Sequence, residues 1–93
     1  PTMVQCSQSI NDTHTILEVT SPDRPGMLAI IASILSRYEV ELNAAKITTL
    51  GERVEDVLYI TTPEGKTIEN DALLKEIADT IKQELDQQNR DEP

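Results

Sequence analysis

Asp23, Arg24, Pro25 and Gly26 stand directly before the best helical pattern in the chain, and their types suggest a chemistry. Proline lacks an N–H, which the first turn of a helix does not need, and its fixed φ suits a helix start. Gly26 has no Cβ, so a ligand can approach the backbone closely there. A helix N-terminus with bare N–H groups attracts an anion such as a carboxylate. Asp23 can cap those N–H groups, or hold an ammonium beside them. Carboxylate and ammonium together are the two charged groups of a free α-amino acid. The same four residues also make a sound strand-to-helix turn with no ligand, in which Arg24 is a rim charge.

Other chemistries find little support. His14 is the single histidine and opens a strand, where a half-exposed polar residue is ordinary. Cys6 is the single cysteine, so it reads as a small hydrophobe and no internal disulfide is possible. That usage fits a reducing cytoplasm. Glu55 and Asp56 are neighbours on a strand, point to opposite faces and cannot work as a paired acid and base. No Cys-x-x-Cys offers a metal site, so we expect neither metal nor cofactor. Seventeen acidic residues against eight Lys and Arg give a net charge of −9. That balance argues against nucleic acid and anionic membrane as partners. No apolar run approaches the roughly 20 residues of a membrane span. No signal peptide is expected.

The elements that must hold the loop follow from periodicity. Residues 3–10 alternate weakly as a strand, and Asn11-Asp12 signals a turn. Residues 14–20 form a firmer strand, with Leu17 and Val19 on one face. Leu28, Ile31, Leu35 and Tyr38 fall at helical spacing over residues 27–38, with Ile34 widening the stripe. Residues 40–50 read as a strand whose alternation slips near Ala44-Ala45, as a β-bulge would cause. Gly51-Glu52 makes a hairpin turn into residues 53–62, with Val54, Leu58 and Ile60 on one face. Pro63 to Lys66 is a second turn. Leu73, Ile77, Ile81 and Leu85 recur every four residues in a helix over 70–85.

The order ββαββα predicts an α+β, ferredoxin-like sandwich, an open antiparallel sheet with both helices on one face. The usual unit ends on an edge strand after its second helix. Here residues 3–10 are expected to fill that edge by pairing with 14–20. We expect one domain over 1–93, with an N-terminal edge strand at 3–10, a core at 14–85 and a frayed tail at 86–93. The chain opens on Pro1 rather than Met, so a piece of a longer protein is expected.

The run LEVTSPDRPGMLAIIASIL, followed by VELNAAKITTLGERVEDVLYIT, resembles an ACT domain, the small regulatory module that binds amino acids. The D-R-P-G-x-L turn is similar to that family's ligand loop, and Asn43 also fits its pattern. The resemblance covers residue 15 to about 85. It implies a ligand site made of Asp23, Arg24, Pro25, Gly26, Met27 and Leu28, with Asn43, Ala45 and Ile47 near a second wall. The longer run AKITTLGERVEDVLYIT resembles the last ACT domain of the nucleotidyltransferase family that adds uridylyl groups to the PII nitrogen-regulatory protein and removes them. That narrower resemblance implies glutamine as ligand, PII as partner of the parent enzyme, and no catalysis by this chain alone. A second ACT domain, from another copy or the same parent chain, is the implied neighbour. An ACT domain of another amino-acid-metabolic enzyme, and a module that only dimerises, stay open as alternatives.

Overall fold

The computed structural model describes residues 2–8, 13–23 and 25–91. Four strands and two helices follow in the order β1 (Met3–Gln8), β2 (Thr15–Pro22), α1 (Met27–Arg37), β3 (Glu41–Leu50), β4 (Arg53–Thr61) and α2 (Asp71–Asp91). The sheet runs β1-β2-β4-β3, and every neighbouring pair is antiparallel. This is the ferredoxin-like α+β sandwich, with β1 occupying the edge that a strand after the second helix usually fills. Met3 pairs with Thr20 and Gln8 with Thr15. The last residues of the expected 3–10 strand and the Asn11-Asp12 turn lie outside the described residues.

Period-two alternation decides which face of the sheet is buried. On β2, Leu17 and Val19 are buried, and on β4 Val54, Leu58 and Ile60 are buried. Ile31, Ile34 and Leu35 of α1 and Ile77, Ile81 and Leu85 of α2 join Leu17, Val19, Leu58 and Ile60 in one cluster. That core is aliphatic because the chain has two tyrosines and no Phe or Trp. Each fully buried Leu or Ile contributes roughly 1.5–3 kcal/mol.

Local chemistry sets the ends of the elements. The Asn70 side-chain carbonyl accepts the N–H of Leu73 at 3.1 Å and caps α2. The sequence reading ends this helix near Leu85 and frays the chain from 86, whereas α2 continues to Asp91. Residues 86–91 lose the apolar stripe but contain no Gly or Pro, and Gln and Arg are good helix formers. An established helix therefore propagates through them. The Thr2 N–H also donates to Asp86 Oδ1 at 3.0 Å, fixing the start of that last stretch. On β3 the register slips between Leu42 and Ala44, one residue before the expected bulge, so Asn43 is the extra residue. Asn43 Nδ2 donates to Thr61 Oγ1 at 2.9 Å and anchors the irregularity. Two residues, Gly51 and Glu52, close the β3–β4 hairpin, with Leu50 paired to Arg53.

Candidate functional site

The loop between β2 and α1 is built differently from the sequence expectation. Pro25 lies outside the helix, which starts at Met27 with Gly26 as its N-cap. Gly26 has φ 77° and ψ 7°, in the left-handed region. Pro-Gly is the pair that a turn with positive φ at its second central residue selects. Pro25 therefore shapes the turn rather than the first helical turn. A Cβ built at Gly26 would meet nothing within 4 Å, so glycine is required by the backbone angle and not by crowding. Among the described residues no side chain caps α1, Asp23 included. The leading N–H groups of the helix are thus left to solvent or a ligand.

Among the described residues, two contacts tie the loop down. The Asp23 N–H donates to the Glu52 carbonyl at 2.9 Å, joining the loop to the β3–β4 turn. Ser21 Oγ lies 3.0 Å from Met27 Sδ, holding the first turn of α1 against β2. Asp23, Pro25 and Gly26 are exposed, Met27 is buried and Leu28 is half-buried against the core. Arg24 lies outside the described residues.

The β3 residues divide into two groups. Ala45 and Ile47 are exposed, and Ile47 pairs with Asp56 of β4 on the helix-facing side of the sheet. Asn43 is four residues up the strand, roughly 13 Å away at about 3.3 Å per residue. It lies towards the end of the sheet where α1 finishes and is engaged with Thr61. The structure thus brings the loop and Ile47 towards the same part of β4, while Asn43 sits elsewhere in its own chain.

Sequence reasoning missed Asp56. It takes its place between Val54 and Leu58 on the buried face, is 2 % exposed, and its Oδ1 has no hydrogen-bond partner. Glu55 points to the other face, as expected. The signal was available in the alternation of β4, which puts an acid where an apolar residue belongs. Burial, and secondly the charge of Asp23, push the Asp56 carboxyl above its ordinary value of 3.8.

That shift has a definite sign. The folded state holds the Asp56 proton to higher pH than the unfolded chain does. The contribution is fully present below 3.8 and is lost as pH rises through the raised folded value. Ligand-free Asp56→Asn should therefore gain stability relative to the unmodified chain as pH rises from about 4 to about 7. Urea unfolding of both proteins at the two pH values checks this. A stability difference that stays constant contradicts it.

The His14 ring stands edge-on to Tyr59 with centroids 6.1 Å apart. Partial burial pushes the Cys6 thiol up, away from the reactive thiolate. Among the described residues no group of three or more His, Cys, Asp or Glu could hold a metal ion. No helix among them is long and apolar enough to cross a membrane.

A ferredoxin-like sandwich with a D-R-P-G loop leading into its first helix defines a class, and the chain belongs to the ACT-domain family, which matches residues 15–82. It is a regulatory module of that kind. More particularly, it is similar to bacterial proteins called bifunctional uridylyltransferase/uridylyl-removing enzyme. Identity is 44 % over 79 residues with that of Pseudomonas entomophila (strain L48), covering 82 % of this chain and 9 % of the relative. It is 46 % over 79 residues with that of Pseudomonas putida (strain W619), with the same 82 % and 9 % covered. The enzyme of Stutzerimonas stutzeri (strain A1501) is 40 % identical over 86 residues, 89 % of this chain and 10 % of the relative. The chain thus spans about a tenth of the length of these relatives. No solved structure matches it.

Proposed function

We propose that this ACT domain senses glutamine in the cytoplasm and sets whether its parent enzyme adds uridylyl groups to PII or removes them. The observation that carries the reading is the start of α1 behind Gly26, which has no side-chain cap. A ligand carboxylate satisfies them and complements the helix dipole. The names of the relatives supply the parent activity. Glutamine acts only by binding one state of the parent more tightly than the other.

One loop cannot enclose a ligand, and enclosure normally takes a concave site. The second wall comes from a neighbouring ACT domain, another copy or a tandem domain of the parent chain. Ile47 and Leu50 on the edge strand β3 are 54 % and 56 % exposed, which favours contact there. Asn43, remote from its own loop, belongs to that wall. Ligand and association are then linked, each tightening the other by the same factor.

Calorimetry of the chain with a panel of amino acids tests the reading. We expect saturable binding of glutamine in preference to glutamate and asparagine, with sedimentation showing tighter association when glutamine is saturating. No binding of any amino acid contradicts it. The exposed β3 edge also favours a second reading, a module that only associates. That reading predicts self-association indifferent to every amino acid.

A further inference from the structure

Asp56 is a problem as the domain stands. A buried carboxylate oxygen without a partner costs free energy, and native proteins keep few such groups. Among the described residues no hydrogen bond to its Oδ1 compensates it. Val54 and Leu58 flank it along β4, Val19 pairs with it on β2, and Ile47 pairs with it on β3. The charge of Asp23 has the same sign and makes matters worse.

Its position is informative. Ser21 pairs with Val54, and Ser21 is also where the first turn of α1 touches the sheet. Asp56 lies two residues along β4 from Val54 on the same face, roughly 7 Å by strand rise. A carboxylate received at the start of α1 would thus have its α-substituents within reach of Asp56. The covering on the other side is open, because Ala45, Ile47 and Thr49 of β3 are exposed although they share the helix-facing side.

Resting on the amino-acid reading above, we infer that Asp56 is the residue that recognises the α-ammonium of the ligand, receiving it on the unpartnered Oδ1 while the start of α1 takes the carboxylate. The assignment moves the ammonium contact from Asp23, which is exposed and bonds through its backbone to Glu52. An exposed carboxylate discriminates weakly because water screens it, whereas a buried one gives a stronger charge-assisted hydrogen bond. The ligand cation cancels a charge that the empty site holds at a cost. Compounds without the ammonium leave that cost in place and bind less well.

The test compares glutamine with 4-carbamoylbutanoic acid, which is glutamine with hydrogen in place of the amino group. By calorimetry the unmodified chain should prefer glutamine by about tenfold or more, the scale of one hydrogen bond to a charged group. Asp56→Asn, and Asp56→Ala as a second variant, should bind the two compounds about equally. In the unmodified chain the Asp56 carboxyl carbon resonance should move with glutamine and stay still with the des-amino compound, a readout that needs no variant to fold. A preference for glutamine that survives in a folded Asp56→Asn, or a resonance indifferent to glutamine, overturns this assignment and leaves the glutamine reading standing. Binding of neither compound by the unmodified chain removes both.

Discussion

Gly26→Asp should leave the domain folded and weaken glutamine binding by about tenfold or more, each tenfold being about 1.4 kcal/mol. The loss does not come from crowding, since a Cβ there meets open space. It comes from charge placed at the N-cap of α1. The new carboxylate lies where the carboxylate of the ligand is expected, repels it, and can itself accept from the leading N–H groups. The backbone cost is separate. A non-glycine residue at φ 77° is strained by roughly 1–2 kcal/mol. Gly26→Ala carries that strain without the charge, so it should keep affinity within a few-fold while losing comparable or greater stability. Calorimetry on both variants, with urea unfolding to confirm that each is folded, separates the two effects. Affinity of the aspartate variant equal to that of the unmodified chain would remove the loop from the site.

Leu58→Ala should be the most damaging single truncation for stability. Leu58 is fully buried on β4, one of the two inner strands, and belongs to the cluster shared by both helices. Removing its isopropyl end loses transfer free energy and leaves a cavity, together about 2–5 kcal/mol. A domain of this size has roughly 5–15 kcal/mol in total, so the loss is a large part of the stability. The urea midpoint should fall with the slope unchanged. A loss under about 1 kcal/mol would mean that the cluster is not the single core described.

How much of this was legible in the sequence depends on the range of the interaction. The faces of β2 and β4 were legible because alternation is local, and so was the apolar stripe of α2. The edge position of β1 could be argued from the alternation of residues 3–10 and the Asn11-Asp12 turn signal. The end of α2 was not legible from hydrophobicity, since helix propagation outlasts the apolar stripe. At Pro25-Gly26 the same residues serve a helix start or a turn with positive φ, and the turn won because Gly26 tolerates that angle. Asp56 was legible as a position but not as a buried group. Only the folded packing shows that its carboxylate is buried and its Oδ1 left without a partner.

The central claim is that an amino acid binds where the β2–α1 loop meets the helix-facing side of β3 and β4. The most direct measurement is a titration of the isotope-labelled chain with glutamine, followed by assigned amide resonances. The account predicts saturable shifts centred on Asp23, Gly26, Met27 and Leu28 and extending to Ile47 and Asp56. Resonances of the outer face of α2, at Lys75 and Asp79, should stay in place. Shifts confined to α2, or none at saturating glutamine, would contradict the account.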